Sequence, residues 1–238
     1  MKSMDQGALA GVRADYARRM LARAGAAGDW RLERAFAATP REAFLGPPPW
    51  LVSGDLEYAD ATADPARLYQ DVLVALKPEK LINNGSPSLH AAWLHAAGVR
   101  SGERVCHIGA GAGYYTAILS RLCGAQGQVT AIEFEADLAA AARAHLAAYR
   151  NVSVITGDGA DWPREACDVV YVNFAVDRPA PAWLERLPPG GRLLFPLGTI
   201  APPGGRPYGI ALIVTRVGAD AFAARSLGGA VFVRAQGG

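Results

Sequence analysis

Residues 105–119, VCHIGAGAGYYTAIL, read as an apolar strand, a glycine-dense turn and the start of a helix. Three glycines, Gly109, Gly111 and Gly113, stand two apart. Glycines after a strand let the backbone approach a ligand closely, and the helix that follows offers N–H groups with no helical partner. The flanking sequence repeats the same rhythm. Strand RVCHI, helix 114–122 closed by Gly124, strand QVTAIE, helix ADLAAAARAHLAAY and strand VSVIT follow one another. Strand DVVYVNF, helix APAWLERL, the turn PPGG (188–191) and strand RLLFPL continue the series, and GIALIVTR and AVFVR close it. Strands separated by helix-length segments predict an α/β fold, a doubly wound and mostly parallel sheet wrapped by helices.

Upstream the pattern changes. Residues 5–24 carry apolar residues at helical spacing between arginines, which predicts a helix. WRLERAFAATPREAFLG predicts a second helix interrupted near Pro40, and GPPPW (46–50) breaks the chain. Residues 51–88 show no sustained period, and INNGSPS (82–88) has the composition of a loop; LHAAWLHAAGV then predicts a helix. We read one domain over 1–238, with a helical and substrate-loop region at 1–90 and a cofactor core at 91–238.

The chain has 24 basic and 22 acidic residues among its 238, a net charge of +2, and 51% hydrophobic residues. That balance supplies a core and no electrostatic footprint for nucleic acid. No apolar run of about 18 residues predicts a membrane span. The first 20 residues are too polar for a signal peptide. Cys106, Cys123 and Cys167 are too few and scattered for a disulfide framework or a zinc site, so no metal is expected and all three are read as buried thiols. These features predict a cytoplasmic protein; oligomeric state is not legible.

Ligands in this sheet class sit outside the carboxyl ends of the strands. Glu133 ends the next strand, 24 residues after Gly109, and an ionised carboxylate suits the paired hydroxyls of a ribose, or else a solvated strand end. GDG (157–159) follows the third strand: Asp158 could accept from an adenine amino group with Gly159 beside the ring, or the segment could be a plain turn. Dinucleotide turns favour G-x-G-x-x-G. Here the spacing is G-x-G-x-G, with Tyr114 in place of the last glycine, which favours S-adenosylmethionine, whose amino-acid tail brings no phosphate.

From about residue 30 onward the chain resembles the protein-L-isoaspartate O-methyltransferases, within the class I S-adenosylmethionine-dependent methyltransferases. AFAATPREAFL, LYQDVLVAL and GSPSLHAAWL are similar to the family's early helix with its PRE-F segment, its Tyr-x-Asp segment and its substrate loop. VCHIGAGAGYYTAILSRL, VTAIEFEADLAAAARAHL, NVSVITGDGADWP and PPGGRLLFPLG are similar to its successive cofactor blocks, and ALIVTR and FAARSLGGAVFVR to its C-terminal strands. The resemblance implies a Rossmann-like seven-stranded sheet whose last strand is antiparallel, and methyl transfer to a carboxylate of an altered aspartyl residue. It implies that Gly109, Gly111 and Gly113 line the methionine end, Glu133 the ribose, and Asp158 and Gly159 the adenine, with Phe134 over the adenine face.

Two positions depart from the family pattern. An acidic residue usually stands two before the first glycine; here it is His107, which could offer a hydrogen bond to the cofactor or be a buried histidine bonded to backbone. The hydroxyl-bearing residue two before the loop proline aligns with Gly85, with Ser86 one place later, Asn83 and Asn84 before it, and Ser88 where the family has histidine.

Methyl transfer is a direct displacement, so the enzyme supplies positioning and a dry site. A carboxylate acceptor is already ionised at pH 7 and needs no general base; a hydroxyl or amine usually does. We assign Ser86 the catalytic place and Asn84, Gly85, Ser88, His90 and Asn173 the substrate side, while Asp64 and Asp71 are read as solvated loop carboxylates. The expected function is methylation of a carboxylate on a peptide, protein or small metabolite. The alternatives are a biosynthetic O- or N-methyltransferase of a small molecule, and a cofactor-binding module without turnover.

Overall fold

The structure is a computed structural model that describes residues 6–53, 60–200, 208–230 and 232. The chain divides into two compact units, Met1–His95 and Ala96–Gly238.

The first unit opens with helices α1 (Gln6–Arg23) and α2 (Trp30–Ala37). Asp29 caps α2 by accepting from the Leu32 amide at 3.1 Å. The helix ends before Pro40, and the rest of the predicted segment is a short 3₁₀ turn, Arg41–Phe44. Residues 51–88 are more ordered than their lack of period suggests. They contain β1 (Trp50–Ser53), β2 (Asp60–Thr62), β3 (Leu73–Lys77) and β4 (Ile82–Asn83), an antiparallel sheet in the order β2-β1-β3-β4. Strands of two to five residues are too short to display a period of two, which is why this sheet escaped the sequence reading. Leu45, Val52, Leu68 and Val74 form its core. Helix α3 (Pro87–Ala97) follows, starting at the loop proline, whose missing N–H costs nothing in a first helical turn.

The second unit carries β5 (Arg104–Ile108), α4 (Tyr114–Cys123), β6 (Gln128–Glu133), α5 (Ala136–His145), β7 (Val152–Thr156), β8 (Val169–Val172), α6 (Pro181–Glu185), β9 (Arg192–Ile200), β10 (Tyr208–Arg216) and β11 (Phe222–Ala230). One seven-stranded sheet has the order β11-β10-β9-β8-β5-β6-β7. Strands β5 to β9 pair in parallel, β10 pairs antiparallel with β9, and β11 antiparallel with β10. The strand that runs against the parallel set is therefore the penultimate one, with the last strand hairpinned onto it at the edge. The final strand begins at Phe222, earlier than AVFVR; residues 231, 233 and 234 of that call lie outside the described residues.

The central strands are buried on both faces, as a sheet covered by helices requires: Val169 to Val172 of β8 are fully buried. Cys106, Ile108, Val170, Val172, Trp183, Leu193 and Phe195 belong to one core cluster. The three cysteines are buried and free. No described helix is long and apolar enough to cross a membrane.

Candidate active site

In the sheet of the second unit, β6 and β7 lie to one side of β5 and β8 to the other. The winding reverses between β5 and β8, and the crevice outside their carboxyl ends is where this fold binds ligands. The glycine turn opens onto it. The amides of Gly109 and Ala110 both donate to the Ile132 carbonyl, at 2.9 and 3.1 Å, tying the turn to β6. Gly109 has φ +76°, and a Cβ there would lie 2.8 Å from the Phe174 ring, so its backbone demands glycine twice over. Gly111 and Gly113 also have positive φ, +54° and +98°.

Glu133, at the end of β6, is 6% exposed. Its Oε2 accepts from the Gly111 amide at 2.6 Å and its Oε1 from the Glu135 amide at 2.9 Å. Burial pushes its pKa up, against the backbone amides of Glu135, Gly111 and Phe134, which lower it. An ionised carboxylate offers about four acceptor positions, so backbone amides do not exhaust its capacity to accept. Phe134 beside it is 49% exposed. Asp158 Oδ1 accepts from the Ala160 amide at 2.9 Å and caps the short turn Gly159–Asp161. Gly159 is buried. Its own packing forbids a side chain, since a Cβ would land on Cγ2 of Ile108, and its carbonyl accepts from Trp183 Nε1 at 2.9 Å.

His107 is fully buried on β5. Nδ1 lies 2.8 Å from Thr116 Oγ1 and Nε2 lies 2.7 Å from Asn173 Nδ2. Burial pushes its pKa down to about 3, partly offset by the Asn173 hydrogen bond, so the imidazole is neutral at physiological pH. It is no cationic substitute for a carboxylate. The Asn173 amide donates to the Ile108 carbonyl at 2.9 Å, which extends the β5–β8 pairing by one residue. The Asn173 side-chain oxygen is buried and has no hydrogen-bond partner among the described residues. A buried acceptor left unpaired costs about 1–3 kcal/mol. The positive-φ turn, the remaining acceptor capacity of Glu133 and this orphaned oxygen all fit S-adenosylmethionine, whose ribose and amino-acid end bring hydroxyl and ammonium donors.

The loop with Asn84, Gly85, Ser86, Ser88 and His90, expected on the substrate side, belongs to the first unit. Asn84 is a clasp: its amide donates to the Val74 carbonyl at 3.0 Å, and its Oδ1 accepts from Val74 N at 3.1 Å and Arg41 Nη2 at 2.9 Å. Arg41, fully buried, also donates to the carbonyls of Leu68 and Val72 at 2.6 and 3.0 Å. Sequence reasoning missed its part; the PRE segment held the residue, but only the fold shows a buried guanidinium laced to the loop. Gly85 has φ +70°, its amide donates to Asn83 Oδ1 at 2.8 Å, and a Cβ there would land on Nε2 of His90. His90 is buried beneath it.

Asp71 is not a solvated carboxylate. Its Oδ1 accepts from Ser86 Oγ and from the Ser88 amide, both at 3.0 Å, and its Oδ2 from Ser88 Oγ at 2.5 Å and Arg23 Nη1 at 3.3 Å. Burial acts to raise its pKa, but the Ser88, Ser86 and Arg23 hydrogen bonds prevail and hold it below the usual aspartate value. Asp64 caps a 3₁₀ turn by accepting from the Ala66 amide at 3.0 Å. Within this loop Ser86, Ser88 and Asp71 therefore form one cluster, Asn84 and Arg41 a second, and Gly85 and His90 a third; Asn173 and His107 pair on the sheet of the second unit.

The family model described as protein-L-isoaspartate(D-aspartate) O-methyltransferase matches residues 56–203. A protein-L-isoaspartate O-methyltransferase of Methylorubrum extorquens is 39% identical over 202 residues, 84% of this chain and 77% of that protein. One from Brucella anthropi is 32% identical over 210 residues, 86% of this chain and 85% of that protein. A solved chain with the same name, 23% identical, overlays 94% of this chain and 66% of its own with a TM-score of 0.76. A Plasmodium falciparum chain, solved in complex with S-adenosyl-L-homocysteine and 15% identical, overlays 93% of this chain and 97% of its own with a TM-score of 0.72. These two structures share the fold. With the glycine turn, Glu133 and the β5–β8 crevice in place, the sequence matches settle the family: the chain belongs to the protein-L-isoaspartate(D-aspartate) O-methyltransferases.

Proposed function

We propose that this methyltransferase esterifies a carboxylate carried on a peptide or protein, and that its acceptor differs from a generic isoaspartyl peptide. When bound, S-adenosylmethionine supplies an electrophilic methyl group on a sulfonium. The Gly109–Gly113 turn and Glu133 hold it, with Asp158 and Phe134 at the adenine. The chemistry needs little else from the chain. An acceptor carboxylate is ionised at neutral pH and attacks without a base. The C–S bond breaks as the C–O bond forms, the electron pair stays on sulfur, and no proton moves. Positioning and exclusion of water are what remain for the protein to provide.

The observation that carries the altered acceptor is the backbone of Gly85. The family's hydroxyl-bearing position is here a left-handed glycine whose side-chain direction is filled by His90. Ser86 does not slide into that role; its hydroxyl is held by Asp71 and also receives the Leu89 amide at 3.4 Å. Loss of one transition-state hydrogen bond lowers a rate by about 10²–10³-fold, taking an oxyanion-hole donor as guide. Three buried thiols suit a reducing compartment, and we place the protein in the cytoplasm.

The test is methyl transfer from labelled cofactor to an isoaspartyl peptide and to a panel of peptide, protein and metabolite carboxylates. The expected product is a methyl ester that releases methanol in base, with the isoaspartyl peptide a poor acceptor. Base-stable label would indicate a nitrogen or ether acceptor. Turnover on the isoaspartyl peptide equal to that of an established repair enzyme would refute the altered specificity. Cofactor binding with no transfer to any acceptor would make the chain a binding module.

A further inference from the structure

We propose that Asn173, held in orientation by His107, accepts the hydrogen bond of the ammonium group at the methionine end of S-adenosylmethionine. The inference rests on the cofactor assignment and adds a residue pair to it.

The amide and the imidazole fix one another's orientation. A neutral imidazole has one donor and one acceptor nitrogen. Asn173 Nδ2 is a donor and stands 2.7 Å from Nε2, so Nε2 is the acceptor and the proton lies on Nδ1, which donates to Thr116 Oγ1 at 2.8 Å. The chain Asn173–His107–Thr116 thus turns the NH₂ half of the amide toward the imidazole and leaves the oxygen without a partner among the described residues. The Tyr171 ring packs edge-on to His107, with centroids 5.6 Å apart, and confines it further.

The position suits the ligand. Asn173 directly follows β8, His107 lies one residue before the end of β5, and the winding of the sheet reverses between these two strands. A Cβ on Gly109 would lie 3.5 Å from the Asn173 Cβ, so the Asn173 side chain departs from its backbone beside the first glycine of the turn. An ammonium carries three donors and no acceptor, the complement of an orphaned oxygen. Position 107, where the resembling family carries an acidic residue, holds the imidazole that orients this neutral acceptor. His107 does not touch the ammonium in this arrangement; it is a positioning residue.

Two nucleosides separate this role from a structural one. S-adenosylhomocysteine carries the ammonium, whereas 5′-deoxy-5′-methylthioadenosine keeps the adenosine and lacks the amino-acid end. Calorimetry on the full chain with Asn173→Leu is expected to show S-adenosylhomocysteine weakened about 10- to 100-fold, the range for a hydrogen bond to a charged group, with methylthioadenosine unchanged. Asn173→Asp, which keeps an oxygen of the same reach, is expected to bind S-adenosylhomocysteine within a few-fold of the parent. Equal weakening of both nucleosides, or of neither, in a folded Asn173→Leu variant would overturn the proposal. If that variant does not fold, ¹⁵N NMR of the unmodified protein decides. A His107 ring protonated on Nδ1 supports the proposal, and one protonated on Nε2, which would turn the amide oxygen toward the imidazole, overturns it. Parent protein that binds neither nucleoside would instead refute the cofactor assignment itself.

Discussion

Asp71 accepts a hydrogen bond from the Ser86 hydroxyl at 3.0 Å, and the same carboxylate holds both the amide and the hydroxyl of Ser88. The serine nearest the family's hydroxyl position is thus employed at the start of α3, as the cap of a helix whose first amides need acceptors. Replacing Asp71 with alanine leaves the Ser88 amide, in the first turn, and both serine hydroxyls without that acceptor. The expected loss is about 1–2 kcal/mol, read as a lower denaturant midpoint with an unchanged slope. A midpoint equal to the parent's would show that the cluster contributes nothing to stability.

Restoring a hydroxyl by Gly85→Ser is expected to fail twice. Serine at φ +70° is strained, and its Cβ would land on His90 Nε2. The cost is about 1–3 kcal/mol in thermal or denaturant unfolding, with no gain of isoaspartyl turnover. The double variant with His90→Ala removes the collision but not the backbone strain, so it recovers only part of the loss. Full recovery would mean that the ring, and not the backbone, sets the restriction.

Glu133→Ala should weaken S-adenosylhomocysteine binding by roughly 1.5–3 kcal/mol, the range for hydrogen bonds to a charged acceptor. Its pKa is raised by burial, so the proton returns to it at a higher pH than to an ordinary glutamate. Affinity is expected to fall as pH drops through that raised value, because a protonated acid accepts less well. Calorimetric titration at several pH values reads both effects, and an alanine variant with parent affinity would remove Glu133 from the site.

His107 sets part of the acid limb of stability. Its folded pKa is about 3, well below its ordinary value of 6.5. As pH falls below 6.5 the unfolded chain takes up a proton that the folded chain refuses, so stability drops progressively until about pH 3. His107→Gln has no such proton to take up. Its unfolding free energy is expected to decline less steeply than the parent's between pH 6 and about pH 4, whatever its absolute stability. Parallel slopes would show that His107 titrates normally in the folded protein.

Gly109→Val combines a φ of +76° with a collision on Phe174. A β-branched residue is poorly suited to that backbone region, and the side chain would press toward the crevice. The expected result is loss of detectable nucleoside binding, read by calorimetry. Parent-like affinity would show that the turn can shift without harm to the site.

Much of this was readable in the chain alone. The alternation of apolar strands with helix-length segments after residue 104 determines a doubly wound sheet, because β and α periods are local properties of the sequence. The glycines at 109, 111 and 113 and Glu133 one strand later were legible as a turn and a strand-end carboxylate, and they meet where the Gly111 amide donates to Glu133, because both act through backbone geometry and strand order. The small sheet β1–β4 was not readable, since strands of two to five residues carry no period. Nor was Asp71, which is 15 residues from Ser86 in sequence and 3.0 Å from it in space. His107 and Asn173 stood apart as a departure from a pattern and an asparagine at a strand end. Only the parallel pairing of β5 with β8 brings them to 2.7 Å, burying the imidazole until it is neutral and leaving one amide oxygen without a partner among the described residues. Local preference is written in neighbouring residues; a hydrogen bond between residues 66 apart depends on register, and register is decided when the sheet assembles.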